Sequence, residues 1–191
     1  MKIGLFFGSF NPIHIGHMAI ANYMAEFTDL EQVWFVVSPQ NPLKSKTNLL
    51  SEHHRLQLVN LAIGDSPKYK ASNIEFKLPQ PSYTSNTLAH LSEKYPQHSF
   101  CLIMGSDNLQ TFPKWKNYEH ILREYEIYVY PRPGQEGGEL SKHPRVKSVS
   151  APFMDISATF LRKSLKEKKD IRFFVPLPAY EYLREMHFYE K

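Results

Sequence analysis

One stretch near the start constrains the chain more than any other. An apolar run, Ile3-Gly4-Leu5-Phe6-Phe7, leads into Gly8-Ser9-Phe10-Asn11-Pro12-Ile13-His14-Ile15-Gly16-His17, and a helical pattern follows over 18–25. Strand, tight loop and helix in this succession open an α/β sheet, in which loops at the carboxyl ends of strands face the ligand crevice. A helix start presents unpaired N–H groups and a positive dipole end, and both attract phosphate. Gly8 is read as supplying a backbone conformation that other residues reach only at a cost, and Pro12 as stiffening the turn. His14 and His17 are three apart, which puts both rings on one face of the first helical turn. Gly16 between them leaves no side chain in the way of a flat base or ribose. Two imidazoles, a helix N-terminus and a bare glycine suit the polyphosphate of a nucleoside triphosphate. A lone H-x-x-H pair carries little weight. The full G-x-F-x-P-x-H-x-G-H, directly after a buried strand, is specific.

The rest of the chain keeps the same alternation. Strands are expected over 33–37, 69–76, 99–104, 126–130 and 146–149. Helices are expected over 52–63, from Ser82-Tyr83-Thr84-Ser85 to 94, and over 118–123, 157–167 and 178–186. Ser51 reads as an N-cap and Gly64 as the stop of the second helix. Residues 40–47 and the polar, glycine-rich 135–142 read as loops. Strands alternating with helices of this length imply right-handed βαβ units. The expected fold is α/β: a Rossmann-like, doubly wound parallel sheet with helices on both faces and a small C-terminal helical part. With 191 residues, 42% of them hydrophobic, and no internal repeat, one domain over 1–191 is expected.

Charge and cysteine usage narrow the class further. A net charge of +4 suits anionic ligands and is too mild to argue for nucleic acid. The single cysteine, Cys101, lies in the run Phe100-Cys101-Leu102-Ile103-Met104. It reads as a core residue, and a reducing compartment fits. The apolar start is too short for a signal peptide, and no run approaches the ~20 residues of a spanning helix. A cytoplasmic protein with no membrane partner is expected. No His/Cys/Asp/Glu spacing matches a zinc site, so no protein metal site is expected. Arg55 reads as a solvated helix face, and His53, His54, His90, His98, His120 and His143 as surface residues.

Near the other end, Asp155-Ile156-Ser157-Ala158-Thr159-Phe160-Leu161-Arg162 offers a second helix N-terminus, with hydroxyls and a basic residue further along the helix. Alone it fits a capped surface helix. Together the two end motifs resemble the HxGH nucleotidyltransferase superfamily, which moves AMP or CMP onto a phosphate or carboxylate. The segment Asp155 to Arg162 is similar to the I-S-x-T-x-x-R motif of its adenylyltransferases. The middle of the chain resembles the bacterial nicotinate mononucleotide adenylyltransferases, through Pro42-Leu43-Lys44, Ser82-Tyr83-Thr84-Ser85-Asn86-Thr87, Gly105-Ser106-Asp107-Asn108, Phe112-Pro113-Lys114-Trp115 and Arg132-Pro133-Gly134.

The resemblance implies transfer of AMP from ATP to nicotinate mononucleotide, giving deamido-NAD and pyrophosphate. It implies His14, His17 and Arg162 as catalytic residues, with Gly8, Ser9, Phe10, Gly16, Gly105, Asp107, Ser157 and Thr159 at ATP. Lys44, Tyr83, Thr84, Asn86, Trp115 and Arg132 fall to the acceptor. Mg²⁺ is implied as an ion held through the ATP phosphates. The partners are then the two nucleotides, without nucleic acid, and a homo-oligomer is compatible with the chain. Asn86 stands where that family usually has Asp, Leu43 where it has His, and Ala158 where many relatives have Ser. Asn86 keeps nicotinamide mononucleotide open as an alternative acceptor. Phosphopantetheine, and a non-catalytic nucleotide sensor, are the other readings.

Overall fold

The computed structural model describes residues 1–39 and 49–190. Among these, six strands form one sheet: β1 (Lys2–Gly8), β2 (Gln32–Val37), β3 (Tyr69–Ser72), β4 (Ser99–Gly105), β5 (Ile127–Tyr130) and β6 (Val146–Ser148). Their order is β3-β2-β1-β4-β5-β6, and every pairing is parallel. The helices are α1 (Ile15–Phe27), α2 (Glu52–Ile63), α3 (Thr84–Lys94), α4 (Ser106–Thr111), α5 (Tyr118–Glu124), α6 (Ala158–Lys166) and α7 (Leu177–Glu185). This is the doubly wound α/β fold that the alternation predicts.

The inner strands β1, β2, β4 and β5 read as apolar runs because helices cover both faces of the sheet. Val33, Phe35 and Val37 of β2 face one core with Ile20 and Met24 of α1, Leu58 of α2, Leu161 of α6 and Leu183 of α7. Trp34 and Val36 face the other, with Leu88 of α3, Leu109 of α4 and Ile121 of α5. Cys101 and Ile103 of β4 join the first core, and Phe100, Leu102 and Met104 the second. The period of two survives, although it is invisible as polarity.

The order of the strands decides where a ligand goes. β1 has β2 on one side and β4 on the other, so the chain reverses its direction of travel across the sheet between β1 and β4. A crevice opens at the carboxyl ends of the strands at such a point. The loop after β1 and the Gly105–Asp107 turn after β4 flank it.

Some boundaries differ from the sequence pattern. The strand expected over 69–76 ends at Ser72, and a 3-10 turn, Ile74–Lys77, follows. The cause is Glu75, whose buried carboxylate is drawn inward by the Thr87 and Ser82 hydroxyls. The short α4 was not legible in Ser106-Asp107-Asn108-Leu109-Gln110-Thr111, where Leu109 is the one apolar residue. In the expected loop over 135–142, Glu139–Lys142 forms a 3-10 turn. Among the described residues no helix is long and apolar enough to cross a membrane.

Candidate active site

A cleft of about 530 Å³ opens at the switch point. It brings together Gly8, Ser9, Phe10, His14, Gly16, His17, Asp107, Arg132, Ser157, Thr159 and Arg162, contributed by residues far apart in the sequence. Gly105 lies behind this wall. A Cβ there would run into the Asp107 carboxylate and come within 3.0 Å of Arg132 Cγ.

The loop after β1 departs from the sequence reading in an instructive way. Gly8 does not take the left-handed conformation expected of it; Phe10 does, at φ 44°. Gly8 is needed for space, since a Cβ there would sit 2.8 Å from the Phe10 ring. The Asn11–Pro12 peptide is cis. Gly16 likewise makes room first for protein: a Cβ there would come within 3.0 Å of His14 Nδ1. The missing side chain therefore seats the His14 ring, rather than a base or ribose alone.

His14 is the N-cap of α1 and His17 lies in its first turn. Their rings stack, with centroids 3.7 Å apart. The His14 N–H donates to Nδ1 of His17 at 3.3 Å, so the neutral His17 ring carries its proton on Nε2. His14 is buried, and no described group bonds to its Nδ1. Burial, helped by the charge of Arg132, pushes its pKa down to about 4. Near neutral pH both cleft and ring therefore favour an uncharged His14.

The opposite wall is the start of α6. The Ser157 hydroxyl caps this helix by accepting from the Phe160 N–H at 3.1 Å. Arg162, one turn beyond Thr159, donates to Thr159 Oγ1 at 3.2 Å and to the Asn11 carbonyl at 2.8 Å. The start of α6 is thus tied directly to the loop before α1. Asn11 is a hub between them: its side-chain oxygen accepts from the Leu50 N–H and the Tyr189 hydroxyl. Across the cleft, Arg132 faces Asp107 at 3.8 Å, and its N–H donates to the Ser106 hydroxyl. Two positive helix ends and two guanidinium groups converge on one space, which suits a polyphosphate.

Of the expected acceptor residues, Arg132 lines the cleft, whereas Tyr83, Thr84, Asn86 and Trp115 do not. Trp115 lines a recess of about 40 Å³, which shares Phe6, Phe7, Asn108 and Tyr130 with the larger space. The two spaces therefore adjoin. Tyr83 is the N-cap of α3 and offers no side-chain cap; Thr84 and Asn86 lie in the first turn, with Asn86 exposed. Lys116 stands over the Tyr83 ring at 4.5 Å, linking this helix start to the Trp115 segment. Lys44 lies outside the described residues.

Two charged residues were misread or passed over in the sequence. Arg55 is fully buried, not solvated. Its guanidinium reaches the Ser9, Ser38, Pro39 and Leu50 carbonyls, all main-chain groups that no side-chain pattern advertises. Glu75 is also buried, and accepts from Thr87 Oγ1 at 2.8 Å and Ser82 Oγ at 3.0 Å. Burial raises its pKa against these hydroxyls, which hold it down. It braces the start of α3 from both sides. The sequence signal for it is an acidic residue within an expected strand. Of the expected surface histidines, His54 is half-buried with its Nδ1 2.9 Å from the Tyr182 hydroxyl, and His98 packs among Trp34, Tyr95 and Phe100. His53, His90 and His120 are exposed.

The chain is similar to known proteins along its whole length. The cytidylyltransferase-like family profile matches residues 5–172. A probable nicotinate-nucleotide adenylyltransferase of Flavobacterium johnsoniae is 56% identical over 193 residues, covering 100% of both chains. That of Bacteroides thetaiotaomicron is 49% identical over 185 residues, covering 97% of this chain and 92% of its own. Among solved structures, Plasmodium falciparum nicotinic acid mononucleotide adenylyltransferase complexed with NaAD superposes with a TM-score of 0.82 at 21% identity, over 99% of this chain and 97% of its own. That likeness concerns the fold; the identity to the bacterial relatives carries the assignment. The chain belongs to the cytidylyltransferase-like family and, within it, to the nicotinate-nucleotide adenylyltransferases.

Proposed function

We propose that the cleft transfers AMP from ATP to nicotinate mononucleotide, within one nucleotidyltransferase domain spanning 1–191. The observation that carries this is the convergence of the α1 and α6 N-termini, with His14, His17 and Arg162, on a space that adjoins the Trp115 recess. The triphosphate occupies the first space and the pyridine ring the second. An oxygen of the acceptor's 5′-phosphate attacks the α-phosphorus of ATP in line. The new P–O bond forms as the bond to the β-phosphate oxygen breaks, and pyrophosphate leaves. The attacking oxygen is already ionised, so no general base is needed. Catalysis then rests on positioning and on charge stabilisation.

The Nε2–H of His17 donates to the phosphates where charge builds. His14, held neutral beside it, contributes a buried ring stacked on that of His17. Ser157, Thr159 and Arg162 hold the β and γ phosphates. Arg132, opposite, adds charge at the acceptor side. Tyr83, Thr84 and the exposed Asn86 serve the nicotinate end, where the uncapped α3 N-terminus suits its carboxylate.

Among the described residues no group of three His, Cys, Asp or Glu is placed to hold a metal ion. The cationic and imidazole-rich cleft fits Mg²⁺ that arrives on ATP and is held by phosphate and water, with Asp107 the one carboxylate lining the space among the described residues. Such an ion neutralises phosphate charge when bound.

The test is pyrophosphate release with ATP and Mg²⁺, comparing nicotinate and nicotinamide mononucleotides side by side. A strong preference for the nicotinate form is expected. Equal or reversed preference would overturn the acceptor assignment, with Asn86→Asp the first variant to make. No release with either, or with phosphopantetheine, would leave a nucleotide sensor.

A further inference from the structure

Arg55 has no exposed surface, yet it belongs to no ion pair among the described residues. Its guanidinium donates only to main-chain carbonyls: Nε to Leu50 at 2.9 Å, Nη1 to Ser9 and Ser38 at 2.7 Å each, and Nη2 to Pro39 at 2.9 Å. These oxygens come from three places: the loop after β1, the end of β2, and the lead-in to α2. A buried cation without a carboxylate is costly to keep, and four carbonyl dipoles offset that cost only in part. A neutral side chain would close the same space more cheaply.

The bond to Ser9 has a directional consequence. In a planar trans peptide the C=O and N–H point opposite ways. With the Ser9 carbonyl turned back onto Arg55, the N–H of the same peptide, which belongs to Phe10, turns away from it. Ser9 and Phe10 both line the cleft, and no described group accepts from that N–H. Phe10 is also the one residue of this loop with a positive φ, a conformation that persists in a bulky residue only when its surroundings impose it. Gly8 beneath the ring imposes it from one side and Arg55 on the preceding carbonyl from the other.

We infer that Arg55 is a positioning residue for the triphosphate: its fork fixes the Ser9–Phe10 peptide with the Phe10 N–H toward the cleft, and its unpaired charge stands behind that peptide. The inference rests on reading the cleft as the ATP site. A lysine at this position keeps the charge and loses the fork, because one nitrogen cannot meet four carbonyls set around a plane.

Two measurements test it. In the wild-type protein, ¹⁵N spectra follow the Arg55 Nε–H together with the His14 and His17 rings while ATP and Mg²⁺ are added without acceptor. The Arg55 signal is expected to shift and its exchange to slow with ATP, and to stay put with nicotinate mononucleotide alone. Histidine signals that move while Arg55 stays still would overturn the role of Arg55 and leave the ATP site standing. If neither set moves, the ATP-site reading falls and the inference with it. In the second measurement, Arg55→Lys is expected to raise the KM for ATP about tenfold or more, the usual scale for losing a charge-assisted bond. The KM for nicotinate mononucleotide should change by less than about twofold. A folded variant with a lower melting temperature and both KM values unchanged would make Arg55 structural only. Should the variant not fold, the wild-type spectra decide.

Discussion

At His17 the proposed chemistry comes down to one N–H. Its Nδ1 accepts from the His14 backbone N–H, so the neutral ring presents its proton on Nε2. His17→Ala is expected to cut turnover by about 10²–10³, the usual size for losing one preorganised donor. Circular dichroism should report an intact fold, and near wild-type turnover would refute the assignment. His14 makes a second prediction, in stability. Its pKa in the folded protein is about 4 against an ordinary 6.5, because it is buried and faces Arg132. Between these values the unfolded chain binds a proton that the folded chain refuses. Stability from this residue is therefore complete above pH 6.5 and is lost as pH falls toward 4, by up to about 1.4 kcal/mol per unit. Urea denaturation at pH 7 and pH 5 should show the loss, and His14→Gln should flatten it. A slope unchanged in the variant would place the effect elsewhere.

At the scale of elements, the proposed mechanism rests on helix starts. α1 and α6 approach the cleft from separate parts of the chain, and Arg162 locks the start of one to the loop of the other through the Asn11 carbonyl. Ser157 holds the α6 start by its cap. Ser157→Ala is expected to cost about 1 kcal/mol in stability, the usual worth of such a cap. It should also raise the KM for ATP while leaving that for the acceptor unchanged, which steady-state kinetics with each substrate varied in turn would read. Equal changes in both would argue against a β,γ-phosphate role. The α3 start works differently. It carries no side-chain cap, and Glu75 braces it from beneath through Ser82 and Thr87. An uncapped, braced helix start is what a carboxylate ligand needs.

The whole molecule closes on itself around Asn11. Tyr189, near the end of the described chain, donates its hydroxyl to the Asn11 side chain, and the Phe174 carbonyl accepts from the Ile15 N–H. The C-terminal helical part thus buttresses the loop at the other end of the sequence. Tyr189→Phe is expected to lose about 1 kcal/mol, roughly 2–4 °C in melting temperature for a chain of this size, and to weaken ATP binding several-fold. Calorimetry with and without ATP would separate the two effects, and an unchanged ATP affinity would confine Tyr189 to stability. The sheet itself was legible in the residues: apolar runs of strand length, separated by helical patterns with Ser51 and Gly64 at their ends, admit little besides parallel βαβ units. The two end motifs were legible for the same reason, because histidines, hydroxyls and arginine carry their chemistry in their side chains. What the sequence left undecided was whatever runs through the main chain or through packing. Arg55 looked solvated because its partners are carbonyls that every residue possesses. Gly8 looked like a conformational hinge because nothing local says that the Phe10 ring lies on it. The strand order that sets β1 beside β4, and so makes one cleft of residues 8 to 162, exists only once the chain has folded, since it depends on which strands pair and not on what each strand is.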